Sequence, residues 1–331
     1  MRIALDAMGG DEAPRPIVQG GVEAACTLDG LEVVLVGHRD QVGPLVREFG
    51  GDTAPVRVVH AAEVVEMDEP PAEALRRKPD NSILRCWELL ARGEVDALVS
   101  AGNTGAVVGA GLFLRRFLPG IKRPGIAVTI PSPTGPCVLI DVGANTHPKP
   151  EHLFQYGLMG MVYVKEILHV ERPRIGLLNV GTEGMKGNEL TRETHRRFAG
   201  SHLAGHFVGN IEGRDVFAGR ADVIVCDGFV GNVVLKVCEG LVEMMLRTTA
   251  EEVLRRQDGQ ARAASLEAFE TLKRRYHYST YGGAPLLGID GICIICHGSS
   301  DAAAIRNALR TAAEFARLRV NDKIRTELAL D

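Results

Sequence analysis

Six short stretches hold most of the residues that could do chemistry, and each follows a run of apolar residues. The most suggestive is Asn179–Leu190, where Gly181, Thr182, Gly184, Gly187 and Asn188 surround Lys186. Glycines let backbone N–H groups approach an anion, a following helix N-terminus adds partial positive charge, and a lysine adds a full one. The same letters also write a glycine-rich turn with a solvated lysine. The spacing is not that of G-x-x-x-x-G-K-[ST], and G-x-G-x-x-G occurs nowhere among the 38 glycines, so the usual triphosphate and dinucleotide loops are not indicated.

"SAGNTGA" repeats the device, with Ser100, Asn103 and Thr104 set between Gly102 and Gly105; its alternative reading is a helix N-cap and a tight turn. In "CHGSSD", Ser299 or Ser300 is expected to cap a helix starting near Ala302. His297, just before them, can donate to an anion or shuttle a proton. "DAMGGD" (Asp6, Gly9, Gly10), "DVGAN" (Asp141, Asn145) and "DGFVGN" (Asp227, Asn232) each place an acid at a strand end. Such carboxylates can bind a divalent cation or work as acid and base. Taken singly, each reads better as a loop organiser accepting backbone N–H groups. Asn232 either points its amide at a carbonyl oxygen or caps the helix that carries Lys236. Cys293-Ile-Ile-Cys296-His297 matches a haem-attachment pattern, but its isoleucines make it a buried strand, whose positions three apart face opposite ways. The two cysteines are read as core residues.

These loops need a scaffold. The 331 residues, 45% hydrophobic, suffice for one large α/β unit. Ala97–Val99, Val138–Ile140, Ile175–Leu178 and Val223–Val225 are apolar without alternation, as in strands covered on both faces of a mostly parallel sheet. Ligands of such sheets bind beyond the strands' carboxyl ends, so the six loops are expected to gather at one rim. Residues 61–79 read as a surface excursion with a short helix. Residues 241–276 read as a helical hairpin broken near Asp258–Gly259, with Val242, Met245, Thr249 and Val253 facing Leu266, Phe269, Leu272 and Tyr276. The net charge of −4, without a long basic run, argues against nucleic acid. Seven scattered cysteines read as reduced thiols of a cytoplasmic protein. Early acids argue against a secretory leader, and no apolar run nears the ~18 residues of a membrane span.

Together "ALDAMGGDEAP", "SAGNTGA", "DVGAN", "LLNVGTEGMKGNEL", "GNIEGRDVFAGRADVIVCDGFVGNVVLK", "YGGAPLLGIDG" and "HGSSDAAAI" resemble the phosphate acyltransferase family of bacterial phospholipid synthesis, in family order from residue 4 to about residue 305. The resemblance implies a three-layer α/β/α sandwich, similar to the phosphotransacetylases and the isocitrate/isopropylmalate dehydrogenases, forming a homodimer. It implies the reaction of an acyl-[acyl carrier protein] with inorganic phosphate to give acyl phosphate, which feeds a glycerol-3-phosphate acyltransferase. No cofactor or metal is expected. On this reading Lys186 and the Gly181–Gly187 backbone take the phosphate charge, and Ser100, Asn103 and Thr104 help position it. Asn232 and His297 serve the thioester oxygen or the leaving sulfur. Arg192, Arg196 and Arg197, or Lys273, Arg274 and Arg275, would steer an acidic carrier protein. The hairpin tip "RRQDGQARAASLEAF" is polar, which leaves at most a weak peripheral membrane contact. The competing readings are an acyl-CoA enzyme of the phosphotransacetylase kind, an NAD-dependent dehydrogenase on the related fold, and a non-catalytic carrier or lipid scaffold.

Overall fold

The computed structural model describes residues 1–50, 53–114, 116–276 and 282–330, and of 273–276 the backbone alone. The apolar runs become strands β1 (Arg2–Asp6), β2 (Glu32–Gly37), β3 (Val56–His60), β4 (Ala97–Ser100), β5 (Gly125–Ile130), β6 (Cys137–Ile140), β7 (Ile175–Leu178), β8 (Phe207–Ile211), β9 (Val223–Val225), β10 (Ala284–Leu287) and β11 (Cys293–Ile295). They form one eleven-stranded sheet in the order β3-β2-β1-β4-β11-β10-β5-β6-β9-β7-β8. Strands β4, β6, β7 and β9 are buried at every position, as expected of strands covered on both faces.

The strands from β3 to β11 are parallel, and so are those from β6 to β8. Between them β10 and β5 pair antiparallel with each other and with their outer neighbours. Three reversals leave the two parallel groups running in opposite directions. This corrects the expectation of a single rim: the loops after β1, β4 and β11 leave one end of the sheet, and those after β6, β7 and β9 leave the other.

One face of the sheet is covered by α1 (Arg15–Thr27), α2 (Arg39–Gly50), α6 (Pro150–Ile167), α7 (Glu189–Ala199), α10 (Ala302–Arg317) and α11 (Val320–Leu328), which bring Ile17, Val42, Phe154, Phe198, Ile305 and Ile324 to one apolar cluster. The other face carries α3 (Pro71–Arg77), α4 (Ser82–Ala91) and α5 (Thr104–Phe113), with Ala74, Trp87 and Val107 in a second cluster. The indole N–H of the buried Trp87 donates to the Val107 carbonyl at 3.0 Å, which fixes α4 to α5. Helix α3 is the short helix expected within residues 61–79.

The expected hairpin is present, but its first helix starts earlier. Helix α8 runs over Gly228–Arg255 and α9 over Gly259–Tyr276. Thus α8 is rooted at the end of β9, with Leu235 packed on the second cluster, and then leaves the body. Beyond residue 240 its half-buried positions are Val242, Leu246, Ala250, Val253 and Leu254, whereas Met245 and Thr249 are exposed. Val242 and Val253 are thus covered as the spacing expects, while the stripe between them passes through Leu246 and Ala250 instead of Met245 and Thr249. Phe269 is half-buried; Leu266, expected to pack against α8, is 44% exposed. Among the described residues no helix is long and apolar enough to cross a membrane.

Candidate active site

The acids at the strand ends are built into the loops. Asp6, fully buried, accepts from Ser100 Oγ at 2.7 Å and from the Met8 N–H at 3.2 Å, and Ser100 Oγ in turn accepts from the Gly102 N–H. Gly9 lies against the Gly102 backbone, and the Asp11 N–H donates to the Gly298 carbonyl beside Gly10. Asp141 accepts from the backbone N–H groups of Ile126, Gly143, Ala144 and Asn145. Asn145 Nδ2 donates to the Pro124 carbonyl and to the Tyr156 hydroxyl. Burial pushes both the Asp6 and the Asp141 carboxyls above the usual range, and their hydrogen bonds oppose that push. The loop-organising reading of these residues therefore fits the geometry.

Caps account for others. Asn103 caps α5, accepting from the Ala106 N–H at 3.0 Å. Asp227 caps α8, accepting from Phe229 and Val230, so Asn232 is not the cap and sits inside the helix. Neither Ser299 nor Ser300 caps α10: Asp301 does, accepting from the Ala304 N–H at 2.8 Å. The serines fall in the turn before it, where the Ser300 N–H donates to the His297 carbonyl.

A cleft of about 330 Å³ opens where loops from both ends of the sheet and α8 converge on β5 and β10. Ile126, Val128, Val142, Leu235, Ile295 and Cys296 supply an apolar wall. Thr104, Asn232, Lys236, Glu239, His297 and Ser300 supply the polar part. Of the sequence candidates, the structure thus brings together Thr104, Gly105, Asn232, His297 and Ser300. Gly143, at φ +142°, has an open edge: a Cβ there would stand 3.1 Å from Asn232 Nδ2. Glycine meets both the backbone angle and the close approach of that amide.

At the polar end, Lys236 Nζ lies 2.8 Å from Glu239 Oε2 and 3.5 Å from His297 Nε2. The Ser299 N–H donates to His297 Nδ1 at 3.2 Å, with Ser299 Oγ 2.8 Å from the same nitrogen. A backbone N–H can only donate, so Nδ1 is the acceptor and the ring proton is assigned to Nε2.

The Lys186 loop is elsewhere. It follows β7, which β9 separates from β6, and none of residues 181–188 lines the cleft. Thr182, Gly184, Met185 and Lys186 are exposed. Asn179 Nδ2 donates to the Lys186 carbonyl, Asn210 Nδ2 to that of Glu183, and Arg192 Nη1 to that of Gly187. Asn188 caps α7 through the Thr191 N–H. The loop holds itself as a glycine-rich turn with its lysine in solvent. What sequence reasoning missed is Lys236 with Glu239. The available signal was spacing, since Asn232, Lys236 and Glu239 stand at i, i+4 and i+7 on one helix face.

Cys293 and Cys296 are buried, and they belong to the clusters on opposite faces of the sheet. Burial pushes the Cys296 thiol up to about 12, so it serves as wall rather than as nucleophile. Among the described residues there is no group of three or more His, Cys, Asp or Glu arranged to hold a metal. The side chains of Lys273, Arg274 and Arg275 lie outside the described residues. What the cleft can do is hold an apolar chain along one wall while presenting amide, imidazole and ammonium N–H groups to an oxygen-rich group at its end.

A family model described as "Fatty acid synthesis protein" matches residues 1–323. A phosphate acyltransferase of Heliobacterium modesticaldum is 48% identical over 314 residues, covering 94% of this chain and 93% of that protein. One from Syntrophotalea carbinolica is 46% identical over 332 residues, covering 99% and 94%. Among solved structures, a phosphotransacetylase from Streptococcus pyogenes superposes with a TM-score of 0.65 at 17% identity, covering 96% of this chain and 94% of that one, a likeness of fold. The chain belongs to the phosphate acyltransferase family.

Proposed function

We propose that this protein transfers the acyl group of an acyl-[acyl carrier protein] thioester to inorganic phosphate. The observation that carries this reading is the cleft, whose lining combines apolar side chains fit for an acyl chain with N–H and O–H donors fit for an oxyanion. A phosphate oxygen attacks the thioester carbon, a C–O bond forms and the C–S bond breaks. The thiolate leaves with the electron pair and takes a proton from solvent. Asn232 Nδ2 donates to the thioester oxygen as negative charge develops there. The His297 Nε2–H and the Thr104 hydroxyl orient the phosphate. A thiolate is a good leaving group, and among the described residues that line the cleft the one cysteine, Cys296, has its thiol pushed up by burial, so the transfer is read as direct. The phosphate role expected of Lys186 does not suit a loop outside the cleft. That loop, with the exposed Arg192 and Arg196 nearby, suits the docking of an acidic carrier instead.

The product, a mixed anhydride, is fit to acylate glycerol 3-phosphate in a following transferase. The working unit in this reading is a cytoplasmic homodimer with at most weak peripheral membrane contact. The test is release of free thiol from a long-chain acyl-[acyl carrier protein], with and without inorganic phosphate, trapping acyl phosphate as the hydroxamate. Phosphate-dependent release is expected. Release from acyl-CoA alone would move the assignment to a phosphotransacetylase, and no release from either donor by folded protein would end the acyltransfer reading.

A further inference from the structure

The loops that flank β5 and β6 gather cations without acids. From Phe117 to Pro150 the sequence holds Lys122, Arg123 and Lys149, and its one acid, Asp141, is fully buried under four backbone N–H groups. Two loops far apart in the chain are stitched together here. The Lys122 N–H donates to Gln155 Oε1 at 2.9 Å, Gln155 Nε2 to the Gly120 carbonyl at 2.9 Å, and Asn145 Nδ2 to the Pro124 carbonyl at 2.6 Å. These bonds hold Lys122 and Arg123 against the first turns of α6, which Lys149 directly precedes. All three cations are exposed, and among the described residues none of them pairs with an acid. Glu151, the next acid along the chain, stands 3.6 Å from His152 Nε2. Burial holds the His152 imidazole below its usual range, and Arg123, Lys149 and Lys122 push the same way, so the three cations act on one spot. On a chain with a net charge of −4 this is a local positive field.

The patch borders the cleft. Arg123 comes three residues before Ile126, a wall residue, a chain reach of at most about 11 Å. Because β5 runs antiparallel to β6, its first residue and the loop after β6 lie at the same end of the sheet. The Lys186 loop leaves that end too, but its cations alternate with Glu183, Glu189 and Glu193, which weaken its field. We propose that Lys122, Arg123 and Lys149 form the main docking surface for an acidic face of the acyl carrier protein. The inference rests on the phosphate-acyltransfer reading for its donor. A folded carrier cannot enter a cleft of about 330 Å³, so it must stop at the rim and send its thioester inward. A cluster of unopposed cations beside the wall steers it there and fixes where it stops.

The test pairs binding with turnover. Carrier protein is titrated by calorimetry into the natural protein, into a charge-reversed variant that combines Lys122→Glu, Arg123→Glu and Lys149→Glu, and into a charge-keeping variant with Lys122→Arg and Lys149→Arg. Steady-state turnover is measured in each while acyl-[acyl carrier protein] and phosphate are varied separately. The reversed variant is expected to keep its circular dichroism and Tm, since the three side chains are exposed. Its affinity for the carrier should fall and its KM for the acyl donor rise by about ten-fold or more, while kcat and KM for phosphate stay within about two-fold, as for a steering surface outside the reacting site. The charge-keeping variant should bind the carrier as the natural protein does. The gap between natural and reversed proteins should narrow from about 0.05 M to about 0.5 M salt, as screening shortens the reach of exposed charges. An unchanged KM for the acyl donor, an equal rise in both KM values, no carrier binding by the natural protein, or a larger loss in Lys186→Glu with Arg192→Glu would each overturn the assignment. So would flotation with anionic lipid vesicles that the reversed variant loses while its carrier affinity stays intact, which would give the patch to a membrane surface. If the carrier binds through the patch and no thiol is released with phosphate, the docking stands and the acyltransfer reading falls.

Discussion

Asn103 does more than cap a helix. Its Oδ1 takes the Ala106 N–H, while Nδ2 donates to the carbonyls of Glu66, Met67 and Glu69 at 3.0–3.2 Å. One buried side chain therefore starts α5 and pins the segment before α3, and the next two residues, Thr104 and Gly105, line the cleft. Asn103→Ala should cost about 1–2 kcal/mol in urea unfolding, the typical loss of an N-cap. Asn103→Asp keeps the cap acceptor but turns an oxygen on three carbonyls, so it should fail to restore stability; recovery by Asp would show that the cap alone matters. Asp215 ties stability to pH. The Glu212 N–H at 3.0 Å, and then Arg220 at 3.2 Å, hold its carboxyl below the usual range. A depressed folded-state value means that the unfolded chain binds the proton more readily. Its contribution is present above the unfolded value of about 3.9 and is lost as pH falls through the folded one. Urea midpoints of the natural protein and of Asp215→Asn should therefore differ at pH 6 and converge toward pH 3. A gap that stays constant would remove Asp215 as a source of acid sensitivity. At this scale the placement of Thr104, Asn232 and His297 in one cleft was legible in part, because each follows closely on an apolar strand run, although caps and turns use the same residue types. That Lys186 does not line this cleft was not legible, because loop chemistry does not say which strand stands next to the loop.

Helix α8 is the element on which the site depends. Gly231 lets it dock: a Cβ there would overlap the Asp141 backbone oxygen and stand 2.8 Å from Cys226 Sγ. Because α8 carries Asn232, Lys236 and Glu239 together, any retreat of the helix moves all three. Gly231→Ala is expected to keep its helical circular dichroism, lower Tm by several degrees, and reduce kcat/KM by about 100-fold, since misplacement near 1 Å costs that much. Near-natural activity would mean that α8 does not position the site. The elements themselves were readable, since unbroken apolar runs mark buried strands and the Asp258–Gly259 break marks the hairpin. The direction of the strands was not. β5 ("GIAVTI") and β10 ("APLL") are as apolar as their parallel neighbours, and burial on both faces writes the same letters whichever way a strand runs. The hairpin's covered face was legible only in part, at Val242, Val253 and Phe269 but not at Met245, Thr249 or Leu266, for a related reason. Spacing fixes the period of a helix, but the side on which α9 lies decides which stripe is covered.

At the scale of the whole molecule, an exposed apolar stripe among the described residues also lies on α8. Val230, Val233, Val237, Leu241 and Met244 follow one another at three- and four-residue steps, each 38–60% exposed, with Phe229 beside them at 64%. Such an exposed apolar stripe marks a surface meant to be covered. Its spacing is that of a helix packing along another helix. A second copy of the chain is the occupant consistent with the proposed homodimer. A two-fold contact would lay α8 of each subunit on the other, beside the helix face that carries Asn232 and Lys236. Assembly and activity should then be linked. Val237→Glu puts a charge in the middle of the stripe while leaving the cleft residues in place, and it should sediment as a monomer where the natural protein sediments as a dimer. Its specific activity should fall, and should rise again with protein concentration as the weakened dimer re-forms. If the variant remains dimeric, another surface makes the contact and the stripe needs a different cover. Flotation of the natural protein with anionic lipid vesicles, lost in the same variant, would then identify that cover as a membrane surface.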